Sequence, residues 1–274
     1  MSTPPTTRPL TLVIGGTGTT GRRVVQRLTA AGHPVRVGSR SGAPAFDWED
    51  TSTWQAVLDG VDRVYIAHPD MTQRSAAGQI EALSRAAVTA GVQRLVLLSG
   101  RGGLGVQAVE DGVRNSGAQW TIARAGWFNQ NFSEVFLLDA VLAGEIAMPE
   151  FITAEDFIDA DDIADVAVAA LTEDRHAGKT YELSGPRLLS FAEAAAEISR
   201  ATGRTITYTP LTAEQARTAL PGDGMTEDMA EEFIASLREN TARLAHGVEE
   251  ALGRKPKDFS EYVRETAATG VWNA

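Results

Sequence analysis

The chain of 274 residues contains no cysteine, and this absence excludes several kinds of chemistry. It can form no disulfide framework, no thiolate nucleophile and no Cys-ligated zinc or iron–sulfur site, which fits a reducing cytoplasm. It also has no run of about 18 or more apolar residues that could span a bilayer. Residues 1–10 are rich in Pro and Thr and lack the pattern of a signal peptide. We therefore expect a cytoplasmic protein without membrane contact.

Basic residues are scarce as well. The chain has 25 Lys and Arg against 36 Asp and Glu, for a net charge of −11. This charge repels a phosphate backbone, so direct binding of nucleic acid is not expected. Lysine occurs only at positions 179, 255 and 257, and we attribute this bias toward arginine to a GC-rich bacterial genome.

The amino-terminal half alternates short apolar runs with helical patterns. Predicted strands cover residues 12–14, 34–39, a short third segment closed by Asp47 and Trp48, 61–67, 95–98 and 120–123. Predicted helices cover residues 21–31, 52–58, 80–90 and 106–113. This alternation is typical of βαβ units and predicts an α/β fold with a doubly wound parallel sheet of six strands.

Beyond Trp127 the pattern changes to longer helices with isolated strands. The predicted helices cover residues 133–143, 191–201 and 227–243, and the predicted strands cover 180–183 and 205–208. We interpret residues 8–150 as a cofactor-binding domain and residues 151–274 as a smaller, mostly helical lid over the substrate. The segments around Phe157–Asp159 and Tyr181 are candidates to return to the first sheet.

A glycine-rich loop joins the first strand to the first helix. Gly15 permits a tight turn, Gly18 lets a pyrophosphate approach the backbone, and Gly21 lets the helix lie close to the strand. The residues predicted to bind the pyrophosphate are Gly15, Thr17, Gly18, Thr19, Thr20 and Gly21. A tight turn without a ligand is the alternative. The loop lacks the Gly-Lys-Ser/Thr ending of nucleotide triphosphatases.

Ser39 and Arg40 stand at the end of the second strand, where NAD-binding proteins usually carry a carboxylate. An arginine there can bind a 2′-phosphate, so NADP(H) is the predicted cofactor. A solvated surface arginine is the alternative. Asp47 could accept a hydrogen bond from the adenine amino group while the Trp48 indole lies beside the ring, and an ordinary edge-strand aspartate is the alternative.

Several segments together resemble the NmrA-like group of atypical short-chain dehydrogenases, from about Leu10 to Thr209. These segments are Gly-Gly-Thr-Gly-Thr-Thr-Gly, Gly-Ser-Arg, Phe-Asp-Trp-Glu-Asp, Leu-Val-Leu-Leu-Ser, Trp-Thr-Ile-Ala-Arg-Ala-Gly-Trp-Phe-Asn-Gln-Asn-Phe and Asp-Ala-Asp-Asp-Ile-Ala-Asp-Val-Ala. The resemblance implies a Rossmann domain with a small carboxyl-terminal lid and NADP(H) binding. It implies either a quinone or dye reductase or a redox-sensing regulator without turnover.

The resemblance also implies roles for individual residues. Ala67 and His68 would line the adenine ribose, and Ser99 would lie beside the nicotinamide. The segment 124–128 would pass near the carboxamide, although relatives commonly have Pro where Ala125 stands.

The Tyr-x-x-x-Lys pair of better-known short-chain dehydrogenases is missing, because no tyrosine has a lysine four residues later. We therefore expect an NADPH-dependent oxidoreductase that transfers hydride directly to a quinone, dye, enone or imine acceptor. Candidate proton donors are Ser99, His68 and Asn131, with a positioned loop histidine as the alternative for His68. A non-catalytic NADP(H) sensor is the alternative function. A nucleotide-sugar epimerase is disfavoured because it normally needs the same pair.

Aromatic residues after the sixth predicted strand indicate where a small-molecule substrate binds. Trp127, Phe128 and Phe132 are predicted to contact a mostly apolar, planar acceptor, with Asn129 or Asn131 orienting it. If a helix begins early, Phe128, Phe132 and Phe136 share one face, and core packing is the alternative for that trio.

Two further groups of residues are a glycine-rich stretch and a cluster of aspartates. Residues 100–105 are glycine-rich and could form a mobile flap over the substrate. We assign the aspartates at 159, 161, 162 and 165 to helix capping and expect no metal. For the oligomeric state, a homodimer is a possibility that the sequence leaves open.

Overall fold

The computed structural model describes residues 8–71, 73–101, 105–219, 231, 234–235 and 242–273. The strands are β1 (Thr11–Ile14), β2 (Val35–Gly38), β3 (Arg63–Ile66), β4 (Arg94–Gly100), β5 (Gln119–Ala125), β6 (Glu145–Pro149), β7 (Lys179–Leu183) and β8 (Thr207–Leu211). The α-helices are α1 (Thr19–Ala30), α2 (Trp54–Leu58), α3 (Ala76–Thr89), α4 (Val106–Arg114), α5 (Leu138–Ala143), α6 (Ala160–Thr172), α7 (Phe191–Thr202), α8 (Ala213–Ala219), α9 (Gly247–Leu252) and α10 (Phe259–Ala268). Short 3₁₀ turns cover Thr51–Thr53, Asn129–Phe132 and Asp174–His176.

Six strands form one sheet in the order β2-β1-β3-β4-β5-β7. The pairs β1–β2, β1–β3 and β3–β4 are parallel. Chain order reverses at β1, which lies between β2 and β3, and ligands of open α/β sheets bind beyond the carboxyl ends of the strands at such a switch point. The predicted doubly wound sheet is confirmed. The loop after β1 begins at the switch point.

One of the six predicted strands is wrong. Asp47 and Trp48 lie in a loop, and the sixth strand of the sheet is β7, which contains Tyr181. The loop satisfies its polar backbone without a neighbouring strand, because the Asp47 amide donates to Thr53 Oγ1 and the Asp47 carbonyl accepts from Trp54 Nε1. The short third segment was therefore wrongly predicted as a strand.

One predicted helix is shorter in the structure, and another lies mostly outside the described residues. The predicted helix 133–143 is reduced to α5, because the 3₁₀ turn Asn129–Phe132 and a further turn, closed by the Leu137 amide donating to the Asn131 carbonyl, precede it. Asp50 caps the 3₁₀ turn Thr51–Thr53 that leads into α2, and its carboxylate accepts from the Ser52 amide. Most of the predicted helix 227–243 lies outside the described residues, as do residues 102–104 of the predicted flap.

The chain packs as two compact units. The first comprises residues 1–99, 105–124 and 163–181, and the second comprises 100–104, 125–162 and 182–274. The division into a cofactor domain and a substrate lid at residue 150 concerns function and stays a prediction.

The first unit has an apolar core on each face of the sheet, as expected for strands that are buried on both sides. Leu12, Ile14 and Ile66 face one core, whereas Val13 and Tyr65 face the other. The second unit has its own core, which is rich in aromatic rings. That core includes Phe132, Phe157, Phe191, Phe259 and Trp272. Among the described residues, no helix is both long and apolar enough to cross a membrane.

Candidate functional site

The glycine loop after β1 is built by close backbone contacts. Gly15 has a φ of +72°, and a Cβ on it would lie 3.0 Å from the Ala67 carbonyl oxygen at the end of β3. A Cβ on Gly21 would lie only 2.1 Å from the Gly15 carbonyl oxygen. Two of the predicted glycines are therefore required by the turn and by the packing of α1 against it.

The amino terminus of α1 is open. Its N-cap is Gly18, and no side chain caps the helix. Thr17 and Gly18 are exposed, whereas Thr20 is buried and accepts a hydrogen bond of 2.9 Å from Tyr65 Oη. Uncapped amides and the helix dipole form a surface suited to an anionic group. Thr20 supports this surface from inside the fold.

The segment after β2 lies next to this loop. Ile14 and Gly38 are paired in the β1–β2 register, so Gly15 and Ser39 follow at the same edge of the sheet. The Ser39 carbonyl accepts from the amides of Gly42 and Phe46 and folds the loop back. Arg40 is exposed on that loop and has no partner among the described residues.

Trp48 and His68, which are predicted to form a wall beside the adenine and the ribose, are neighbours in the structure. Their rings lie 4.7 Å apart between centroids. His68 Nδ1 accepts from the Asp70 amide at 3.1 Å, so the proton of a neutral ring lies on Nε2, which donates to Gln79 Oε1 at 2.9 Å. Both ring nitrogens are engaged, and this arrangement favours a positioned loop histidine over a proton donor.

Asp47 takes part in this wall through its loop. Its Oδ1 accepts from the Glu49 amide at 3.1 Å. Gln79 was missed by sequence reasoning, because a glutamine within a helical pattern carries no motif. It joins the wall to the loop by donating to Glu49 Oε1 at 2.8 Å.

Ser99 lies near the end of β4, and its hydroxyl is committed to another side chain. It is 1% exposed and donates to Glu110 Oε1 at 2.8 Å. Arg124 binds both oxygens of Glu110 at 2.6 Å, and Arg114 adds a third contact at 2.7 Å. Because its hydroxyl proton is donated to Glu110, Ser99 belongs to this buried hydrogen-bond network and does not offer that proton to a substrate.

Glu110 was also missed, although it stands on the apolar face of α4 together with Val109 and Val113. Burial alone would raise the pKa of Glu110. Hydrogen bonds from Arg124 and Ser99 and the charges of both arginines outweigh burial and hold that pKa below its ordinary value. Glu110 is therefore an ionised anchor.

The predicted substrate aromatics separate into core and surface. Phe132 is completely buried against Phe157, and its carbonyl accepts from Trp272 Nε1. Trp127 and Phe128 are half-buried, and Phe136 is 51% exposed. The predicted helical face shared by three phenylalanines does not form, because residues 128–136 are not one helix.

The indole of Trp127 is held at the surface by two rings. It lies 5.8 Å from Phe136 and 5.5 Å from Phe191, both in edge-to-face geometry. Such pairs orient an aromatic side chain while leaving part of its surface available.

Two asparagines follow Trp127. Asn131 is half-buried, and its backbone closes the turn to Leu137. Asn129 is fully buried, and neither polar atom of its side-chain amide has a hydrogen-bond partner among the described residues. Buried polar groups normally have partners, so Asn129 is the stronger candidate for a ligand contact.

The aspartates before α6 make ion pairs and caps. Asp159 Oδ1 accepts from the Asp161 amide at 2.8 Å, and Asp162 accepts from Arg254 and from the Lys257 amide. Burial raises the pKa of Asp159, opposed by the Asp161 amide and by Lys257. Asp165 pairs with Arg27.

The NmrA-like family profile matches residues 107–264, and an NAD(P)H-binding profile matches residues 15–174. The chain is 35% identical to an NAD(P)H azoreductase of Xenophilus azovorans, covering 94% of this chain and 98% of that protein.

Two solved structures share the fold. The NADPH-dependent quinone oxidoreductase of Escherichia coli superposes with a TM-score of 0.77 at 22% identity, over 93% of this chain and 99% of that one. The triphenylmethane reductase of Citrobacter sp. superposes with a TM-score of 0.74 at 21% identity, with the same coverage.

The fold, the glycine loop and the matching profile define an NAD(P)H-binding protein. The chain belongs to the NmrA-like family.

Proposed function

We propose that this protein is an NADPH-dependent reductase that transfers hydride to a small, planar, mostly apolar acceptor. The observation that carries the proposal is the open, glycine-lined amino terminus of α1 at the switch point of the sheet. The relatives named for azo and quinone reduction support the acceptor class.

Arg40 supports the choice of NADPH over NADH. Its side chain is exposed on the segment after β2 and has no partner among the residues that the structure describes, so it can bind a 2′-phosphate through charge-assisted hydrogen bonds. The position that would hold a carboxylate for the ribose 2′-hydroxyl of NAD carries Ser39 instead. We therefore assign Ser39, Arg40, Asp47, Trp48, Ala67 and His68 to the adenosine end of the cofactor.

Hydride transfer here does not use a tyrosine acid activated by lysine. The four tyrosine hydroxyls contact Thr20, His176, the Met148 carbonyl and Ser133. The nicotinamide supplies the hydride when NADPH is bound, and an acceptor that is a cation or a conjugated system takes it at carbon or oxygen. Any proton that completes the reduction comes from water, with the Asn131 side-chain amide as a candidate hydrogen-bond donor that orients the water or the acceptor.

The acceptor surface is assigned to Trp127 and Phe128. The half-buried indole is oriented by Phe136 and Phe191 and offers a flat face of the size of one aromatic ring system. Asn129 follows in the chain; it is fully buried, and the two polar atoms of its side chain have no hydrogen-bond partner among the described residues. A mostly apolar surface with few polar groups is typical of small-molecule sites.

A deuterium transfer experiment tests the chemistry. NADPH deuterated at C4 of the nicotinamide is oxidised in the presence of an enone, an imine or a triphenylmethane-type dye cation, whose reduced carbon keeps the label. Direct transfer places deuterium from the cofactor on the product. A product that carries only solvent hydrogen at that carbon would contradict direct transfer.

The NADP(H)-sensing regulator is the second candidate. It keeps the same cofactor site but needs no acceptor, so it predicts tight NADPH binding without NADPH consumption.

A further inference from the structure

A buried ion pair lies where three strands of the sheet end. Arg101 follows β4 directly and is 8% exposed, and Asp156 is 1% exposed. The guanidinium binds the Asp156 carboxylate and the Arg243 carbonyl, and its Nη2 donates to the Leu183 carbonyl at 3.0 Å. Its Nε lies 3.1 Å from Glu182 Oε2. One side chain therefore joins four segments of the second unit.

The same ion pair also restricts Gly126, the residue before Trp127. The Arg101 amide donates to the Ala125 carbonyl at 3.1 Å, and the Gly126 amide donates to the Leu183 carbonyl at 3.2 Å. A Cβ on Gly126 would lie 2.2 Å from Asp156 Oδ1, so the carboxylate rests against the Gly126 backbone. Gly126 is confined from two sides.

This confinement continues to Trp127. The Ile158 amide donates to the Trp127 carbonyl at 2.7 Å, and the Asn129 amide donates to the Ile158 carbonyl at 2.9 Å. Residues 126–129 therefore run beside 156–158, with the Arg101–Asp156 pair at one end. A displacement of Asp156 would therefore also displace the Trp127 indole, because these hydrogen bonds connect the two segments.

A second buried acid adjoins the pair. Glu155 is 2% exposed, and its Oε2 has no hydrogen-bond partner among the described residues. Burial and the neighbouring Asp156 charge raise the pKa of Glu155 to about 8, opposed by Arg101. Burial also raises the pKa of Asp156, opposed by Arg101 and by the charge of Arg243.

The charges around Arg101 balance only while Glu155 is protonated. Arg101 and Arg243 then face Asp156 and Glu182, two charges of each sign. Ionisation of Glu155 adds a third negative charge, and no third cation pairs with this group among the described residues. Because neighbouring acids titrate as a coupled pair, this charge weakens the hold of Arg101 on Asp156.

We infer that Arg101, acting through Asp156 and Gly126, is a positioning residue that fixes the orientation of Trp127 for the acceptor. This inference rests on the proposed reductase function. It predicts that the Arg101–Asp156 contact weakens, and that Trp127 becomes less fixed, as the pH rises through about 8, where Glu155 ionises. The KM for the acceptor should then rise about fivefold or more, while the KM for NADPH stays unchanged.

The experiment uses two measurements on the full chain from pH 6.5 to 9.5. One is the fluorescence of Trp127, obtained as the difference between the wild type and Trp127→Phe. The other is the KM for a quinone or an azo dye. Glu155→Gln removes the titrating group with little change of shape. Glu150→Gln, an exposed glutamate of the same segment, is the matched control.

The expected result is a step near pH 8 in both measurements for the wild type and for Glu150→Gln, and no step for Glu155→Gln. Arg101→Lys keeps the charge but loses the planar donor fork, so it should raise the acceptor KM at every pH. A step that persists in Glu155→Gln, or its absence from the wild type, overturns the inference.

The two proposals fail separately. If the fluorescence step is present but no acceptor is reduced, the reductase proposal fails and the link from Arg101 to Trp127 stands. If acceptors are reduced but neither the fluorescence nor the KM shows a step, the reductase stands and the inference about Arg101 is wrong.

Discussion

Gly21 packs against Gly15 so closely that a Cβ on Gly21 would lie 2.1 Å from the Gly15 carbonyl oxygen. A Cβ on Gly18 would meet the same oxygen at 3.3 Å, and Gly18 is exposed. The two glycines therefore differ in purpose: Gly21 is required by the fold, whereas Gly18 leaves room for a ligand.

Alanine at these two positions should separate stability from cofactor binding. Gly21→Ala should destabilise the protein by about 1–3 kcal/mol through overpacking and weaken NADPH binding with it. Gly18→Ala should keep its melting temperature near the wild-type value and still lose affinity for NADPH. Thermal denaturation and calorimetric titration measure both quantities. Equal effects of the two substitutions on stability would refute the distinction.

Removal of Arg40 should weaken the binding of NADPH but not of NADH. Loss of a charge-assisted contact to phosphate corresponds to about 1.5–3 kcal/mol, or roughly ten- to a hundredfold in Kd. Titration of both cofactors into Arg40→Ala checks this. Arg264→Ala, which removes another exposed arginine, is the matched control. Equal wild-type affinities for the two cofactors, or an unchanged NADPH affinity in Arg40→Ala, would contradict the assignment.

Trp127 and Phe132 should respond differently to truncation. Trp127→Ala should lower acceptor turnover and leave NADPH affinity nearly unchanged, because the cofactor is assigned to the loop and Arg40. Phe132→Ala should cost about 3–5 kcal/mol of stability, because that ring is completely enclosed in the core. Steady-state kinetics and denaturant unfolding distinguish the two. If Trp127→Ala unfolds like Phe132→Ala, Trp127 belongs to the core.

Glu110 should stabilise the fold in a pH-dependent manner. Its pKa is lower when folded than its ordinary value of 4.5, so the stabilisation is present above pH 4.5 and is lost as the pH falls through the folded value. Glu110→Gln should lower the free energy of unfolding at pH 7 by about 1.5–3 kcal/mol, since it removes charge-assisted hydrogen bonds to two partly exposed arginines. Urea unfolding at decreasing pH, starting from pH 7, should show that the difference in unfolding free energy between the wild type and Glu110→Gln becomes smaller. A difference that does not change with pH would exclude this role.

The sequence predicted the parts of the fold that local chemistry determines. The loop from Gly15 to Gly21 was predictable because strand, glycines and helix adjoin in the chain. The loop around Asp47 was mistaken for a strand, because its bonds to Thr53 and Trp54 are made by side chains that no apolar pattern reveals.

Contacts between residues that are far apart in the chain were the main feature that the sequence did not predict. Ser99 was predicted beside the nicotinamide, but its bond to Glu110 depends on how α4 packs on β4. Arg101 was seen only as part of a glycine-rich stretch, because its partners Asp156 and Leu183 are 55 and 82 residues away in the chain.

The most direct test of the account is NADPH consumption by the purified protein across a panel of quinones, azo and triphenylmethane dyes, enones and imines, with NADH measured in parallel. The account predicts turnover with at least one planar acceptor and a higher kcat/KM with NADPH than with NADH. Tight NADPH binding without consumption across the whole panel would contradict it and favour the cofactor sensor.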